Sequence, residues 1–166
     1  PKEVVFISGK GGAGKTSLMA AVSELSASGA VLADCDVDAA DLFLLARPEN
    51  ESSEPFFGME KATVEESLCR GCGKCVRFCR FDDFIKKPGR VYQEDPSACQ
   101  GCSRGADVCP VQAITMKPVA RGEIILGNTR FGSALIYGVL KPGEENSGKL
   151  VTQVRQKARQ KAIERG

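Results

Sequence analysis

Residues 69–79 read C-R-G-C-G-K-C-V-R-F-C, and residues 99–110 read C-Q-G-C-S-R-G-A-D-V-C-P. Three of the four cysteines of the first stretch recur in the second at an offset of 30 residues. The chain of 166 residues has eight cysteines and no histidine, which excludes mixed Cys/His zinc sites. Without an export signal, thiols at short fixed spacings favour metal binding over disulfides.

The spacing Cys-x2-Cys-x2-Cys-x3-Cys is that of bacterial two-cluster ferredoxins. In that pattern three thiolates on a tight turn hold three irons of one cluster, and the fourth cysteine reaches the neighbouring cluster. This cross-ligation predicts a complete four-thiolate [4Fe-4S] site formed by Cys69, Cys72, Cys75 and Cys109.

The second predicted site has three thiols, from Cys79, Cys99 and Cys102, because the repeat places Gly105 at its fourth position. Glycine offers no ligand atom. We therefore expect a [3Fe-4S] cluster, an incomplete [4Fe-4S] cluster with an outside ligand, or no stable cluster. Asp107 could reach an open iron, although its spacing fits poorly. With thiolates alone, iron should approach about seven atoms per chain, with a three-iron EPR signal after oxidation.

A second motif lies near the N-terminus, where residues 9–16 read G-K-G-G-A-G-K-T and satisfy G-x-x-x-x-G-K-[ST]. Successive backbone N–H groups of such a loop converge on a phosphate, Lys15 adds positive charge, and Thr16 can bind Mg²⁺. The residues expected to bind ATP are Gly9, Lys10, Gly11, Gly12, Ala13, Gly14, Lys15, Thr16 and Ser17.

The flanking sequence predicts a βαβ unit with a strand over Glu3–Ser8, a helix over Lys15–Ala27 and a strand over Ala30–Cys35. The second strand ends in D-C-D-V-D, at the edge of a parallel sheet where ligands bind. There one of the carboxylates, Asp36 or Asp34, can orient water or hold Mg²⁺ through water. The alternative is an acidic turn that caps the following helix. Cys35 is expected to be a buried core thiol.

The remaining segments predict an interrupted domain. Residues 47–66 are rich in proline, serine and glutamate and predict an exposed linker. The cysteine module covers about residues 64–117, a strand follows over Gly122–Arg130, and a basic amphipathic helix covers Ser147–Glu164. The predicted domains are a first part of a nucleotide-binding domain over 1–63, the cysteine module over 64–117, and a continuation over 118–166.

The composition excludes several functional classes. The net charge of +2 is too small to indicate nucleic acid binding, and the hydrophobic fraction of 42% suits a globular core. No apolar run reaches the roughly 18 residues of a membrane span, and no signal-peptide core is present. We expect a cytoplasmic protein without a membrane partner.

Taken together, these motifs resemble the MinD superfamily of P-loop ATPases that carry an inserted ferredoxin domain. The resemblance rests on residues 9–16 and 34–38, both cysteine runs, and N-S-G-K-L-V at 146–151. It implies that Lys10 reaches across a homodimer, or a pair of closely related subunits, to the partner's nucleotide. It also implies that Asp36 activates water, so Lys10, Lys15 and Asp36 are the expected catalytic residues.

The resemblance has one departure. The family continues past the basic helix into a strand bearing the Walker B aspartate, whereas this sequence stops at Gly166. We therefore expect a fragment, a domain completed by a partner, or a loss of hydrolysis, and ATPase activity is implied for the full-length form. The predicted fold class is an α/β P-loop domain, incomplete at its C-terminus, with an inserted α+β two-cluster ferredoxin domain.

The main functional prediction is an ATP-binding iron–sulfur protein in which the nucleotide controls electron transfer or the assembly of a metallocluster. Its partner would be a redox protein or a metallocluster client. One alternative is a ferredoxin-type electron carrier whose P-loop is a non-hydrolysing scaffold. Another is a positioning ATPase of the ParA type with the clusters as a redox sensor.

Overall fold

The computed structural model describes residues 2–10, 12–26, 29–86, 92–94, 98–144 and 147–166. The chain folds as two units. The first, here called the sheet unit, comprises Pro1–Phe56, Gly122–Lys141 and Asn146–Gly166. The second, the cysteine unit, comprises Phe57–Arg121 and Pro142–Glu145.

The described residues form short helices in both units and one long helix near the end of the chain. The helices are α1 Lys15–Leu25, α2 Leu42–Ala46, α3 Lys74–Phe78, α4 Arg104–Asp107 and α5 Ser147–Arg165. The strands are β1 Val31–Asp34, β2 Glu49–Phe57, β3 Lys61–Val64, β4 Phe84–Lys86, β5 Tyr92–Glu94, β6 Ile114–Lys117, β7 Ala120–Asn128 and β8 Ala134–Leu140.

The sheet unit is a mixed α/β structure on a four-stranded sheet in the order β1-β8-β7-β2. The pair β1 and β8 is parallel, and the pair β7 and β8 is antiparallel. The sequence of β8, A-L-I-Y-G-V-L, is continuously apolar, as expected of a strand that is covered on both faces. Ile136 packs with Leu150 of α5 on one face, and Leu135 packs with Leu42 of α2 on the other.

The helix α5 confirms the predicted basic amphipathic helix. Its apolar positions Leu150, Val154 and Ala158 are buried, and its lysine and arginine side chains lie mainly toward solvent. The strand predicted over Gly122–Arg130 is likewise confirmed by β7. Neither α5 nor any other helix in the described ranges combines the length and apolar composition needed to span a bilayer.

The strand predicted over residues 3–8 is wrong, and so is the βαβ unit that it would open. Residues 2–8 form no strand, and Val4, Val5 and Ile7 are 73%, 65% and 87% exposed. The strand β1 instead takes its parallel neighbour from β8, which is longer and apolar throughout. Apolar composition alone predicted the strand, but pairing depends on a segment about a hundred residues away, which the local sequence does not reveal.

The linker predicted over residues 47–66 is also wrong, because it contains β2 and β3. In the nine-residue β2 only Phe56 is buried, which explains why its composition resembles that of an exposed loop. The strand lies at the edge of the sheet, where Pro55 is tolerated because one side needs no ladder partner. The Tyr137 hydroxyl donates a hydrogen bond of 2.7 Å to Glu51 and helps to hold this edge.

The cysteine unit is built from two repeats that exchange strands. The first repeat contributes β3, α3 and β4, and the second contributes β5, α4 and β6 at an offset of 30 residues. β3 pairs antiparallel with β6, and β4 pairs antiparallel with β5. Each two-stranded sheet therefore joins the first strand of one repeat to the last strand of the other. The core between them contains Ala62, Cys75, Phe84, Cys99 and Ile114.

A buried ionic network closes the cysteine unit. The Arg121 side chain is 0% exposed and donates to the Glu144 carboxylate at 2.9 Å, to the Met59 carbonyl at 2.8 Å and to the Cys99 carbonyl at 3.4 Å. Lys61 donates to the other Glu144 oxygen at 2.8 Å. Because the charged groups are hydrogen-bonded to one another, their burial is tolerated.

We expect Arg121→Met to destabilise the cysteine unit by about 3–5 kcal/mol, the usual cost of removing one partner from a buried ion pair. The free energy of opening is to be measured by hydrogen exchange, peptide by peptide, so that this unit is separated from the other. Arg155→Met is the control, because the Arg155–Glu3 ion pair is exposed. Equal protection of cysteine-unit peptides in the two variants would contradict the prediction.

Candidate metal centre

The four thiols assigned to the first site line one cavity. Cys69, Cys72, Cys75 and Cys109 all lie on the wall of a cavity that is partly open to solvent. Cys75 is buried and Cys72 is exposed, so the cavity has an inner and an outer thiol. The structure thus brings together residues from both cysteine runs, which are up to 40 positions apart in the sequence.

The three thiols assigned to the second site line a second cavity. Cys79, Cys99 and Cys102 lie on the wall of this cavity, and Gly105 lies there too. Cys99 is buried and Cys102 is exposed, which repeats the inner and outer arrangement of the first cavity. The second cavity therefore keeps the arrangement of the first despite its missing thiol.

Two turns in left-handed conformation aim these thiols. Gly73, with φ of 76°, precedes α3, and Ser103, with φ of 63°, precedes α4 at the equivalent position of the repeat. Glycine adopts this conformation without strain, whereas serine does so less readily. Each turn folds the chain back immediately after the exposed thiol, Cys72 or Cys102, and starts the short helix.

The strand exchange explains why the last thiol of each run joins the opposite cavity. Cys109 lies shortly before β6, and β6 pairs with β3, which leads into Cys69. In the same way Cys79 lies shortly before β4, and β4 pairs with β5, which leads toward Cys99. The backbone pairing therefore places Cys109 and Cys79 on the cavities where the predicted cross-ligation requires them.

Backbone amides point at two of the thiols. The Ala113 N–H donates to Cys109 Sγ at 3.3 Å, and the Ala62 N–H donates to Cys99 Sγ at 3.4 Å. Burial raises the pKa of the Cys75 and Cys99 thiols, and for Cys99 the amide hydrogen bond opposes that rise. Binding of a metal deprotonates such thiols, and N–H···S bonds then stabilise the thiolate.

Position 105 is closed to a fourth thiol by Phe84. A Cβ atom built on Gly105 lies within 2.6 Å of two carbon atoms of the Phe84 ring. Phe84 is 6% exposed and belongs to the core of the unit, so the ring has little room to move. A cysteine at position 105 would displace this core side chain.

The spacing of the thiols along the chain is the one that iron–sulfur clusters use. Within the described ranges no three Cys, Asp or Glu side chains form a group that could hold a single metal ion.

Comparison with known proteins agrees with this geometry. A model of the 4Fe-4S dicluster domain matches residues 62–116. Ferredoxin of Methanothermococcus thermolithotrophicus is 33% identical over 57 residues, which make up 33% of this chain and 95% of that protein. The chain belongs to the ferredoxin family. The [4Fe-4S] cluster is thus the cofactor that the first cavity of this ferredoxin fits.

Two other relatives extend the comparison. An uncharacterised protein of Methanocaldococcus jannaschii is 30% identical over 166 residues, which are 99% of this ferredoxin and 57% of that protein. The chain therefore spans little more than half the length of this relative. One component of the Na⁺-translocating ferredoxin:NAD⁺ oxidoreductase complex of Acetobacterium woodii is 30% identical over 57 residues, or 34% of this ferredoxin and 17% of that component.

The glycine loop of the sheet unit lies at the start of α1, and Gly11 is outside the described residues. The Lys15 ammonium donates to the Ser8 hydroxyl at 3.0 Å, and the Thr16 hydroxyl donates to the Asp41 carboxylate at 3.1 Å. Gly12 and Gly14 have φ of 75° and 84°. The residues of the predicted ATP site that are exposed are Gly9, Lys10, Gly12, Ala13, Gly14 and Ser17.

The acidic turn after β1 is organised by Asp34. Its carboxylate accepts hydrogen bonds from the backbone N–H groups of Asp36 and Leu42, both at 3.1 Å. Burial raises the pKa of Asp34, and the two hydrogen bonds oppose this rise. Asp36 is exposed, and its catalytic role stays a prediction. The prediction that Cys35 is a buried thiol is wrong, because β1 ends at Asp34 and leaves Cys35 exposed.

The residue that sequence reasoning missed is Asp83, which lines the second cavity. The carboxylate considered there, Asp107, is exposed and is not among the lining residues. The signal was available in the repeat, because an offset of 30 residues aligns the polar Asp83 with the apolar Ala113.

We expect Gly101→Ala to lose the iron of the second cavity. A Cβ at Gly101 would overlap the carbonyl oxygen of Glu60 and press on Met59, so the turn carrying Cys102 must shift. Gly143→Ala is the matched control, because its φ is also 76° but nothing lies within 4 Å of its Cβ position. Iron per chain after anaerobic purification is the measurement, and equal iron in the two variants would refute the steric argument.

Proposed function

We propose that this ferredoxin carries electrons through two iron–sulfur clusters, one in each thiol-lined cavity. The observation that carries the proposal is that each cavity combines thiols from both repeats, which is the ligation pattern of two-cluster ferredoxins. The four thiols of the first cavity suit a [4Fe-4S] cluster. The three thiols of the second suit a [3Fe-4S] cluster or a [4Fe-4S] cluster with a different fourth ligand.

The clusters supply the one-electron chemistry, and the protein holds, shields and exposes them in defined directions. Cys75 and Cys99 fix the inner side of each cavity. Cys72 and Cys102 lie on the exposed side, where a redox partner can approach. Tyr92 lines the first cavity and Phe84 the second, so each cavity has an aromatic ring on its wall.

The partner that this arrangement favours is a redox protein or a protein that receives a metallocluster. One relative is named as part of a ferredoxin:NAD⁺ oxidoreductase complex, in which ferredoxin and NAD⁺ exchange electrons. Reduced thiols and thiolate-bound clusters persist in the cytoplasm, where we place the protein.

We further propose that the glycine loop of residues 9–17 binds ATP and Mg²⁺. The start of α1 at Lys15, the left-handed Gly12 and Gly14, and the open space around their Cβ positions support this proposal. An anion is stabilised at such a helix start by free N–H groups and by the helix dipole. On this proposal Lys15 neutralises phosphate charge and Thr16 exchanges its Asp41 contact for Mg²⁺.

The resemblance to MinD-type ATPases gives the nucleotide a role. Lys10 would contact the nucleotide of a second copy in a homodimer, and Asp36 would position the attacking water. The ferredoxin segment lies between two parts of the sheet unit in the sequence, as in that superfamily. The nucleotide would then control electron transfer or cluster delivery by positioning and charge neutralisation. The competing proposal is an electron carrier without nucleotide control.

The first test of the proposal is to compare Cys72→Ala with Cys35→Ala. Cys72 lines the first cavity, whereas Cys35 lies in the sheet unit outside both cavities. Losing one thiolate should lower the iron content by about one to four atoms per chain, while Cys35→Ala should leave it unchanged. Iron and inorganic sulfide are to be counted on anaerobically purified protein. Zinc in place of iron in the unaltered protein would contradict the proposal.

The second test concerns the nucleotide. With Mg²⁺ and ATP we expect a change in cluster reduction potential and a shift from monomer to dimer in light scattering. Lys15→Ala should abolish both, because phosphate charge is no longer neutralised. Lys2→Ala is the control, since it removes a nearby lysine outside the loop. If the cluster reduction potential and the molecular mass are the same with and without ATP, nucleotide control is excluded. The competing proposal, an electron carrier without nucleotide control, then remains.

A further inference from the structure

The second cavity contains a carboxylate as well as its three thiols. Asp83 lies between Cys79 and β4, is 3% exposed, and is among the residues that line the cavity. Its side chain contacts the thiol of Cys99, which is buried at the inner wall. A carboxylate oxygen therefore lies on the inner side of a site that has one thiol too few.

The internal repeat shows that this carboxylate is specific to the incomplete site. An offset of 30 residues aligns Asp83 with Ala113, which lines the first cavity and is 1% exposed. The same offset aligns Gly105 with Cys75. At these two repeat positions the first cavity thus has a cysteine and an alanine, whereas the second has a glycine and an aspartate. Each cavity has four side chains that can act as ligands.

Two further observations favour Asp83 over other ligands from this chain. The Phe84 ring occupies the space next to Gly105, so no side chain can enter from that position. The neighbouring carboxylates Asp82 and Asp107 are exposed, and neither lines the cavity. Of the Asp and Glu side chains in the described residues, Asp83 is the one that lines this cavity.

A buried carboxylate is well placed to coordinate a metal. An iron atom held on one side only by inorganic sulfides would offer such a carboxylate an open position. Carboxylates bind iron in proteins, although less strongly than thiolates do in clusters.

We propose that an Asp83 carboxylate oxygen is the fourth protein ligand of the second cluster and completes it as a [4Fe-4S] cluster with three thiolates and one carboxylate. The inference rests on the proposed function, since it requires a cluster in the second cavity. The iron bound by Asp83 is then the most readily exchanged iron of the protein, because its ligand is the weakest of the eight.

The experiment counts iron and sulfide in the anaerobically purified chain and records EPR spectra after mild oxidation. We expect about eight irons in the unaltered protein and about seven in Asp83→Asn, with a three-iron signal of about one spin per chain in that variant. Asp82→Asn is the matched control, because it removes the adjacent carboxylate from an exposed side chain. The Asp82→Asn variant should have the same iron content and EPR spectrum as the unaltered protein.

A second variant separates ligation from folding. Asp83→Cys offers a thiolate at the same place, so it should keep about eight irons and lose the Mössbauer doublet of an oxygen-ligated iron. If Asp83→Asn loses both clusters, the Asp83→Cys variant shows whether residue 83 is a ligand. Its iron count and the presence or absence of the oxygen-ligated doublet are then the deciding measurements.

Two outcomes would overturn the inference. One is an unaltered protein with about seven irons that takes up no eighth when iron is added. The other is an Asp83→Asn variant that keeps the oxygen-ligated doublet and about eight irons. Absence of iron from both cavities would instead refute the proposed function.

Discussion

The pairing of β3 with β6 and of β4 with β5 is the constraint on which the cysteine unit depends. Neither repeat can complete a sheet with its own strands, so neither can assemble a set of ligands alone. Because the pairing carries Cys109 and Cys79 into the opposite cavities, the two sites must form together. We therefore expect cluster binding and folding to be coupled in this unit, because the candidate ligands come from distant segments.

Local turns and buried polar contacts orient the thiols that strand pairing brings to each cavity. The turns at Gly73 and Ser103 set the directions of the outer thiols, and amide N–H groups orient two of the remaining sulfurs. Arg121 holds the Cys99 carbonyl and the Met59 carbonyl from behind the second cavity. The wall carrying Cys99 is thus fixed by hydrogen bonds in addition to apolar packing, which keeps its thiol in one position.

The sequence predicted the two sets of thiols because cluster ligation depends on short spacings and on one internal repeat. It did not predict that Asp83 lines the second cavity: the repeat aligns Asp83 with the apolar Ala113, but the paired strands are needed to show that this position faces a cavity. The errors over residues 3–8 and 47–66 have the same origin. The apolar residues 3–8 form no strand, whereas the polar residues 47–66 contain β2, because distant partners decide which strands pair. The exposure of Cys35 depended on where β1 ends.

The charged groups around the second cavity bear on the reduction potential of a cluster bound there. Lys61 and Arg121 both donate to the Glu144 carboxylate, and Arg121 also donates to the Cys99 carbonyl. The reduction potential of a cluster depends on the net charge around it. On our proposal the Asp83 carboxylate brings to this site the same single negative charge as the thiolate that it replaces. The replacement of a thiolate by a carboxylate therefore leaves the charge of the ligand set unchanged, and it changes the strength with which one iron is held.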